Sequence, residues 1–460
     1  MPMRDRLNVL VVVLEGVRAD HIYGSGYARE TTPFLDALAR DGVRFVNMIA
    51  TAPGTLSAHA ALFTGVHSAT HGATGENRFL SARHKSLQAY LEAGGYRTAA
   101  FCTNPWVSPE TGFGHGFDAF FTQRHDNGLA ARALLYGRRA SDRILRRRDA
   151  GARRTNEALK RWLVDDTQPF FAFVHFNETH LPYQPPPPYD RMFLPRNVGA
   201  ARVRAVNQDA NKHLAGQVEM NEEDFAILTA LYDGGLRYVD HRLTEIADFL
   251  RARDEWDHTL LIVTADHGEY LGDRGLMGHR VGLYDAVLRV PLVVHCPERV
   301  PQGFVVEDLA QTTDIAPTIL RLLDITDDTA QMQGRALLDG GRATVGPGFT
   351  ISERFRPNLS VLQQRFPNFD ARVLDVRTKA IRTRREKFIW RSDEANEFYD
   401  LAVDPGERTN LIGQAAERAD ALRRQLFDWL ALVEKFETDE SAPAIDDVVR
   451  RQLQGLGYLD

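Results

Sequence analysis

Thr55 is the residue of this sequence whose setting best suits covalent chemistry. It follows Gly54 and opens the run TLSAHAALFTG, whose small and apolar residues predict a helix from Ser57 to Phe63 that packs closely against the interior. The first turn of a helix carries unpaired backbone N–H groups, and these attract an anion. We therefore predict that Thr55 is a nucleophile that attacks a bound anionic ester. The alternative is that Thr55 only caps the helix.

Three candidate metal ligands directly follow two apolar runs that predict buried strands. Glu15 follows the run NVLVVVL, and Asp266 with His267 follows the run TLLIVTA. Open α/β sheets bind their ligands at the carboxyl ends of the strands, so we expect these side chains to meet. Oxygen donors with one imidazole suit Mn²⁺, Mg²⁺, Ca²⁺ or Zn²⁺. A metal-bound hydroxyl is easier to deprotonate, which predicts that Thr55 is both a metal ligand and the nucleophile.

The segments around these residues alternate between strand and helix patterns. The predicted strands are Asn8–Leu14, Phe45–Ile49, Arg97–Cys102, Pro169–Phe176, Thr259–Ala265 and Pro291–His295. The predicted helices include Thr32–Asp41, Ser86–Glu92, Arg154–Leu163 and Asp224–Arg253. This alternation predicts an α/β fold with a doubly wound, mainly parallel sheet flanked by helices.

The pattern changes near Ile351, which predicts two parts, a catalytic α/β domain over residues 1–350 and a smaller C-terminal α+β subdomain over residues 351–460. In the second part, Arg377–Trp390 predicts two short strands around a turn, and Glu397–Leu401 predicts another. We expect a small antiparallel sheet closed by a helix over Ala415–Lys435.

Composition excludes several classes of protein. The chain has 460 residues, of which 43% are hydrophobic and 26% charged, and it contains no apolar run long enough to span a membrane. The run that ends at Leu14 is too short for a signal-peptide core, so we expect a cytoplasmic protein. Cys102 and Cys296 form neither a disulfide framework nor a zinc cluster. A net charge of -6 argues against general nucleic-acid binding.

One segment has the opposite charge. Leu129–Arg154 contains nine arginines, from Arg132 to Arg154, against Asp142 and Asp149. One interpretation is a solvated helix face. The other is a surface that contacts an anionic substrate or membrane headgroups.

Motifs spread along the chain resemble those of a known family. They are Asn8–Asp20, Thr55–Gly65, His180–Tyr183 (HLPY), Thr264–Arg280 (TADHGEYLGDRGLMGHR), Leu288–Val293, Asp314–Thr318 (DIAPT) and Glu397–Asn410 (EFYDLAVDPGERTN). Together they resemble the sulfatase branch of the alkaline phosphatase superfamily, in order and over nearly the whole chain. The resemblance implies an alkaline phosphatase-like fold. It also implies hydrolysis or transfer of phosphate mono- and diesters, phosphonates or sulfate esters, without deciding among them.

Two departures from the sulfatase pattern bear on the chemistry. Sulfatases have a Cys or Ser, oxidised to formylglycine, at the position of Thr55, and threonine cannot give that aldehyde hydrate. Their first strand usually ends in two aspartates, where this chain has Glu15-Gly16. The set Glu15, Thr55, Asp266 and His267 is instead similar to that of phosphoglycerol and phosphoethanolamine transferases. Gly26-Tyr27 with Arg29–Pro33 also resembles the phosphoethanolamine transferases. Those enzymes carry membrane anchors that are not found in this sequence.

The resemblance and the chemistry together predict further site residues. His180, His279 and Arg280 are expected to bind the remaining oxygens of the anion and to protonate the leaving group. His59, one helical turn after Thr55, matches the position of a supporting arginine in sulfatases. We expect it to contact the anion or to orient Thr55, the alternative being a histidine packed against the sheet.

Other polar residues are candidates for the same site or for structural roles. Asn104 follows a strand and could line the pocket or stabilise a turn before Pro105. His67 and His71 are assigned structural roles. Asp240 and His241 lie inside a predicted helix and are expected to face solvent, so we predict a single divalent metal ion, with Mn²⁺ favoured over Mg²⁺, Ca²⁺ or Zn²⁺.

Three functions remain in competition. The first is a metal-dependent phosphodiesterase, phosphonate hydrolase or phosphotransferase that works through a covalent phosphothreonine at Thr55. The second is a sulfate-ester hydrolase. The third is a binding protein on a non-catalytic sulfatase-like scaffold. That hypothesis would have to account for a set of chemically usable residues, Glu15, Thr55, Asp266, His267, His180 and His279. The sequence does not reveal the oligomeric state.

Overall fold

The protein is described by a computed structural model over residues 6–122, 149–164, 168–325, 329–357, 359–433, 435–436 and 450. Its strands are β1 (Asn8–Leu14), β2 (Val43–Ile49), β3 (Arg97–Cys102), β4 (Ala119–Thr122), β5 (Phe170–Phe176), β6 (Thr259–Ala265), β7 (Tyr270–Leu271), β8 (Met277–Gly278), β9 (Arg289–His295), β10 (Phe304–Gln311), β11 (Leu338–Asp339), β12 (Arg342–Ala343), β13 (Thr350–Arg354), β14 (Thr378–Arg382), β15 (Glu386–Arg391) and β16 (Glu397–Asp400).

The α-helices connect these strands and cover the sheets. They span Pro33–Arg40, Thr55–Thr64, Ser68–His71, Leu87–Ala93, Ala152–Val164, Ala200–Ala205, Ala210–Leu214, Glu222–Arg251, Asp285–Leu288, Ile315–Leu322, Ser360–Arg365 and Ala416–Leu432. None of the helices in the described part of the chain is both long and apolar enough to cross a membrane.

The central sheet has eight strands in the order β10-β2-β9-β6-β1-β5-β3-β4. Strand β1 lies between β5 and β6 and runs parallel to both, with Val11 opposite Phe173 on one side and Ile262 on the other. Strand β9 is antiparallel to β2 and to β6, and the remaining neighbours are parallel. The sheet is therefore mixed but mainly parallel with helices around it, which confirms the predicted fold class.

The buried positions explain why the central strands form where they do. Every residue of β1, β5 and β6 is buried, as expected for parallel strands covered on both faces. The polar residues that follow β1 and β6 consequently lie side by side at the carboxyl ends of these neighbouring strands. The candidate site is located there.

The C-terminal part contains a second, antiparallel sheet of the four strands β13 to β16. The helix Ala416–Leu432 packs on it and completes a separate apolar cluster, whose buried members are Ile351, Ile381, Phe388, Phe398, Ala419, Leu422 and Leu426. This arrangement agrees with the predicted smaller α+β subdomain. The predicted strands in Arg377–Trp390 correspond to β14 and β15, whereas β13 and β10 were not predicted.

The antiparallel sheet is attached to the chain segment that leads into Thr55. The hydroxyl of Ser352 donates to the carbonyl of Ala50 at 2.7 Å, and the backbone N–H of Glu353 donates to the carbonyl of Thr51 at 2.8 Å. Strand β13 thus fixes the loop before the candidate nucleophile from the C-terminal side.

Asp240 corrects one expectation from the sequence. Its carboxylate is buried instead of facing solvent, and it accepts the backbone N–H groups of Phe34 and Leu35, both at 2.9 Å. These are orphan donors in the first turn of the helix Pro33–Arg40, so Asp240 caps that helix from a distant part of the sequence. Its neighbour His241 is exposed, as predicted.

The motif around Tyr27 and Arg29 contacts the long helix Glu222–Arg251 through Asp233. The tyrosine hydroxyl, the guanidinium of Arg29 and the ring of His21 all bond the buried carboxylate of Asp233, at 2.7 to 2.8 Å. The adjacent Tyr232 donates its hydroxyl to the carbonyl of Gly16 at 2.9 Å. The motif therefore supports the turn that follows β1.

Most of the basic stretch Arg132–Arg154 lies outside the described residues. Near its end, Arg153 forms an ion pair with Glu157 one helical turn away, at 3.0 Å. The predicted contact with an anionic surface stays a prediction.

Candidate active site

Glu15 is the centre of the candidate site. Its side chain is fully buried at the end of β1, and Oε1 accepts a hydrogen bond from the Thr55 hydroxyl at 2.7 Å. Oε2 accepts from Nε2 of His175 at 2.7 Å and from the amide of Asn104 at 3.0 Å. Burial alone would raise the pKa of Glu15, but hydrogen bonds from His175 and His267 lower it well below its usual value. Glu15 is therefore a carboxylate.

A sharp turn after Glu15 brings the first strand against Asp266. Gly16 has a positive φ of 67°, a conformation that favours glycine, and its N–H donates to Oδ1 of Asp266 at 3.1 Å. The same oxygen accepts the backbone N–H of His267 at 2.9 Å. The other oxygen of Asp266, Oδ2, is buried without a hydrogen-bond partner among the described residues. It is positioned to take a ligand that protein groups do not provide.

His267 presents one ring nitrogen to the same point. Its Nδ1 donates to the carbonyl of Gly268 at 2.9 Å, so Nε2 is the ring atom that a metal ion would bind in place of a proton. Nε2 lies 3.4 Å from Oγ1 of Thr55, 3.4 Å from Oδ2 of Asp266 and 3.5 Å from Oε1 of Glu15. A backbone partner for the second nitrogen is the usual arrangement of a metal-binding histidine.

Thr55 is the first residue of the helix Thr55–Thr64 and is 3% exposed. The N-cap of this helix is Gly54, and no side chain caps it. The alternative that Thr55 only caps the helix therefore does not hold. Its hydroxyl instead donates to Oε1 of Glu15 and lies 3.4 Å from Nε2 of His267.

These four side chains fit one divalent metal ion. The candidate ligand atoms of Glu15, Asp266 and His267 all lie within 4.8 Å of one another, and the hydroxyl of Thr55 is beside them. The donor set contains three oxygens and one nitrogen. Burial alone would lower the pKa of His267, but the charges of Asp266 and Glu15 raise it to about 9, which shows an excess of negative charge. A divalent cation would neutralise that excess.

Two contacts of Glu15 show what the sequence analysis missed or left open. His175 was not singled out, although it is the one polar residue of β5 (FFAFVHF), beside β1 in the sheet. That signal could have identified it. Asn104 satisfies both interpretations, since its amide nitrogen donates to Glu15 while its Oδ1 accepts the backbone N–H of Trp106 at 2.9 Å.

His59 lies beneath Thr55, on the side of the sheet. Its ring is fully buried, with Nδ1 2.8 Å from the carbonyl oxygen of Thr55 and 3.7 Å from Oδ2 of Asp266. The ring centroid is 5.8 Å from that of Phe173 and 5.2 Å from that of His175. Burial lowers the pKa of His59 to about 4, so the ring is neutral. This placement favours orientation of Thr55 over contact with a bound anion.

His279 and His180 lie on the other side of the metal-binding set. The ring of His279 stacks on that of His267, with centroids 4.1 Å apart and planes 19° apart, and its Nδ1 is 2.8 Å from the carbonyl oxygen of Pro53. The ring of His180 is 5.5 Å from that of His279, and its Nδ1 is 2.6 Å from the carbonyl oxygen of Leu181. The structure thus brings both predicted histidines next to the candidate metal ligands.

A cavity of about 170 Å³ opens beside Thr55, and His279 and Arg280 also line it. The guanidinium of Arg280 contacts Oδ1 of Asn211 at 3.3 Å. Its carbonyl accepts from Nε of Arg354 at 2.8 Å, which ties this loop to the C-terminal sheet. The predicted nucleophile and two of the predicted anion-binding residues therefore share one cavity.

The site geometry can be compared with known proteins. A sequence profile described as Sulfatase matches residues 7–325, and one described as N-sulphoglucosamine sulphohydrolase, C-terminal, matches residues 272–434. The chain belongs to the sulfatase family. It lies in the sulfatase-like branch of the alkaline phosphatase superfamily and is an enzyme of the hydrolase kind.

The relatives of this sulfatase-family chain are named for several different activities. It is 26% identical to the multifunctional alkaline phosphatase superfamily protein PehA of Trinickia caryophylli, over 90% of this chain and 93% of that protein. It is 23% identical to an arylsulfatase of Clostridium perfringens, over 94% of this chain and 96% of the relative. A phosphonate monoester hydrolase of Agrobacterium radiobacter has a similar structure, with a TM-score of 0.75, 25% identity and coverage of 93% and 96%.

Glu269 is a further buried group in the sulfatase-like site that the sequence analysis did not select. Neither of its carboxyl oxygens has a hydrogen-bond partner in the described part of the chain, and burial raises its pKa to about 8. A Cβ atom on Gly16 would lie 3.4 Å from Oε2, and one on Gly278 would lie 3.6 Å from Oε1. Burial thus favours the neutral carboxyl form of Glu269, which fills the space between two glycines beside the candidate ligands.

Proposed function

We propose that this chain is a metal-dependent phosphoester hydrolase or phosphotransferase for phosphodiester or phosphonate-type substrates, acting through a covalent phosphothreonine at Thr55. The observation that carries the proposal is the position of the Thr55 hydroxyl, 2.7 Å from Oε1 of Glu15 and 3.4 Å from Nε2 of His267. A threonine cannot form the formylglycine on which sulfatase chemistry depends. The relatives named for phosphonate monoester hydrolysis and for multifunctional phosphatase-superfamily activity support the same choice.

The metal would be held by Glu15, Thr55, Asp266 and His267. When bound, a divalent ion would supply Lewis acidity that favours the ionised hydroxyl and neutralises charge on the phosphoryl oxygens. Mn²⁺ is our favoured ion, and Mg²⁺, Ca²⁺ and Zn²⁺ also suit the donor set.

The residues of the chain would carry the reaction in two displacements. In the first, the proton of the Thr55 hydroxyl would pass to Oε1 of Glu15, which accepts its hydrogen bond, and from there to solvent. Oγ1 then forms a bond to phosphorus, and the bond from phosphorus to the leaving oxygen breaks. Burial lowers the pKa of His180 and of His279, and the bound anion would raise both, so that one of them gives a proton to the leaving oxygen while Arg280 binds a non-bridging oxygen. In the second, water or an acceptor alcohol would give its proton to the same histidine and form a bond to phosphorus, and the bond from phosphorus to Oγ1 breaks, which releases Thr55 to take up a proton. Catalysis of this kind depends on positioning and charge stabilisation. Glu15 would position the Thr55 hydroxyl, because its buried carboxylate is held by hydrogen bonds at both oxygens.

His59 would act as a positioning residue. It is fully buried behind Thr55 and is in contact with the carbonyl of that residue. The ring would hold the first helical turn, and thus the hydroxyl, at a fixed distance from Glu15.

Sulfate-ester hydrolysis is the second candidate. The sulfatase profile and the relatives named as arylsulfatases favour it. The two candidates differ in the fate of Thr55, because only the first leaves a phosphoryl group on the hydroxyl.

A substrate panel together with covalent trapping tests the proposal. The protein is supplied with Mn²⁺ and assayed on 4-nitrophenyl esters of phosphate, phenyl phosphate, phenylphosphonate and sulfate. We expect the diester and the phosphonate to react fastest, and a rapid acid quench to leave a phosphoryl group on Thr55. Thr55→Ala should lose turnover, whereas Thr55→Ser keeps a hydroxyl and part of the rate.

The opposite outcomes are equally clear. Faster hydrolysis of the sulfate than of the diester would assign the chain to the second candidate. Full activity of Thr55→Ala would remove the nucleophile assignment. Absence of both metal binding and turnover would support the non-catalytic scaffold.

A further inference from the structure

The lining of the cavity beside Thr55 is of two kinds. Thr55 and His279 contribute polar groups, whereas Leu56, Trp106 and Phe355 contribute apolar surface and form what we call its apolar walls. A phosphoryl group alone would not require such walls. They indicate a site for a part of the substrate beyond the phosphorus.

The geometry of displacement identifies which part of the substrate that is. The attacking and leaving oxygens lie roughly in line on opposite sides of phosphorus. A leaving group therefore projects away from Oγ1 of Thr55. Because Thr55 lines this cavity, a leaving group that projects away from Oγ1 would extend into the cavity. This step rests on the proposed function.

The wall that carries Phe355 is held in place by the rest of the structure. The backbone N–H of Arg356 donates to Oε1 of Glu76 at 3.4 Å. A Cβ atom on Gly75 would lie only 2.6 Å from the carbonyl oxygen of Arg356, so this glycine permits a close approach of the two backbones. The ring of Phe355 also lies 5.1 Å from Nζ of Lys379. This segment is a built wall of the cavity.

The charged residues that line the cavity form its rim and include more cations than anions. Four arginines line the cavity against one carboxylate, and they are Arg78, Arg280, Arg354 and Arg356, with Glu353. The carboxylate of Glu353 is already paired with the ammonium of Lys379 and accepts the backbone N–H of Ala69. Its charge therefore offsets that of Lys379 and not that of the rim.

Two of the rim arginines differ in what they can do for a ligand. Arg354 donates to the backbone carbonyls of Arg280, Val376 and Leu374, so its guanidinium is used by the fold. The side chain of Arg356 is 52% exposed and lies 3.5 Å from Asp375. Arg356 can turn toward an anion at the mouth of the cavity at small cost.

We propose that this cavity is the leaving-group subsite, and that it selects esters whose leaving group joins a compact apolar or aromatic body to a terminal anion. Leu56, Trp106 and Phe355 would contact the body, and Arg356 would bind the terminal anion. Phe355 and Arg356 are then specificity-determining residues that the C-terminal subdomain supplies to the site.

Non-hydrolysable phosphonates test this proposal by binding alone. Methylphosphonate, benzylphosphonate and 4-carboxybenzylphosphonate share the anionic head and add first the aromatic body and then the terminal anion. Calorimetric titration of the Mn²⁺-loaded protein should show benzylphosphonate binding about tenfold more tightly than methylphosphonate. The carboxylate should add roughly a further threefold, and this gain should weaken in high salt.

Matched variants separate the two parts of the proposal. Phe355→Ala should reduce the preference for benzylphosphonate to less than about threefold and leave methylphosphonate binding unchanged, whereas Phe304→Ala, on a remote edge strand, should change neither. Arg356→Gln should abolish the gain from the carboxylate, and Arg356→Lys should keep part of it.

Each result supports or overturns the subsite. Equal binding of benzylphosphonate and methylphosphonate by the wild type, or an unchanged preference in Phe355→Ala, would overturn it. An unchanged carboxylate gain in Arg356→Gln would remove the terminal anion from the proposal. An intact preference in a protein that hydrolyses no phosphoryl ester would support the subsite and overturn the proposed function, so the two failures are distinguishable.

Discussion

Nε2 of His175 lies 2.7 Å from Oε2 of Glu15, and neither side chain is exposed to solvent. The other oxygen of the same carboxylate accepts the hydroxyl of Thr55. One hydrogen bond from β5 thus fixes the rotation of the carboxylate that faces the candidate nucleophile. In the proposed arrangement, His175 would act as a hydrogen-bond partner of the candidate metal ligand Glu15.

Removal of the His175 imidazole is expected to weaken metal binding. Partners that orient metal ligands typically contribute 10- to 100-fold in affinity or activity, so His175→Ala should lose roughly that factor in Mn²⁺ affinity. His175→Gln can still donate an amide N–H to Glu15 and should recover most of it. Competition titration with a metal indicator measures both variants.

The matched control for this experiment is His295→Ala. His295 is another buried histidine near a strand end, and its ring packs on Trp256, away from the site. Its truncation should leave the Mn²⁺ affinity unchanged. Wild-type affinity in His175→Ala would show that Glu15 is held without this hydrogen bond.

Removal of the metal is expected to destabilise the fold as well as to stop turnover. Glu15 and Asp266 are both buried, and without a divalent cation only protonated histidines such as His267 offset their charges. A chelator should therefore lower the unfolding temperature, and added Mn²⁺ should restore it. At a metal concentration 100 times the dissociation constant the stabilisation is about 2.7 kcal/mol.

Asp266→Asn should no longer respond to Mn²⁺ in the same thermal scan. Asp257→Asn, which changes an exposed carboxylate just before the same strand, should respond like the wild type. A metal-dependent shift that persists in Asp266→Asn would place the ion elsewhere.

Lys387 is expected to hold the two parts of the molecule together. Its ammonium is fully buried and pairs with Asp285 at 2.5 Å and with Glu407 at 2.8 Å. Lys387→Met leaves both carboxylates without this partner, although Arg382 still pairs with Asp285 at 2.9 Å. We expect a loss of about 3 kcal/mol in the free energy of unfolding, measured by urea denaturation.

The exposed pair between Arg384 and Glu307, at 2.8 Å, provides the comparison. Arg384→Met makes the same kind of change where water screens the charges, and it should have little effect on stability. Equal losses in the two variants would contradict the assignment of Lys387 as a buried connection.

His71 and His67 are expected to make the fold sensitive to acid. Burial lowers the pKa of His67 to about 4 and that of His71 to about 3. The unfolded chain binds a proton at each histidine near pH 6.5, whereas the folded protein does not. The free energy of unfolding should therefore fall as the pH decreases from about 6.5 to about 4.

His71→Asn isolates one part of this effect. Nδ1 of His71 accepts the backbone N–H of Ala73 at 3.0 Å, and an asparagine oxygen can accept it in the same place. The variant should lose the slope that corresponds to about one proton, as measured by urea titrations at several pH values. An unchanged slope would mean that other groups cause the acid sensitivity. His258→Asn, at a partly exposed histidine, is the control.

The sequence predicted an element most accurately where the residues of one short segment alone determine its structure. The runs NVLVVVL, RTAAFC and TLLIVTA predict β1, β3 and β6 with the observed bounds, because apolar residues fill both faces and polar residues end each run. Strand β10 was missed because it is an edge strand with an alternating, partly exposed pattern. Its place beside β2 depends on a contact between distant segments.

Some residues of the candidate site could likewise be identified from local sequence, whereas others depend on contacts between distant segments. Glu15, Asp266 and His267 could be selected because each directly follows a recognisable strand. His175 was hidden inside an apolar run, and only the pairing of β5 with β1 brings it to Glu15. Asp240 has its partners in the helix Pro33–Arg40, about 200 positions away in the sequence, so nothing in its own helix reveals its burial. The catalytic roles assigned to the site residues stay predictions.

The residues that meet at the candidate site are far apart in the sequence, and this has a consequence for folding during biosynthesis. Glu15 and His175 are 160 positions apart, and Gly16 and Asp266 are 250 positions apart. While the chain is still on the ribosome, Glu15 has emerged long before β6, and the middle of the central sheet is incomplete. Pairing over such distances is slow, so the set that would bind the ion forms late. Metal binding would then follow completion of the central sheet and would not initiate its folding.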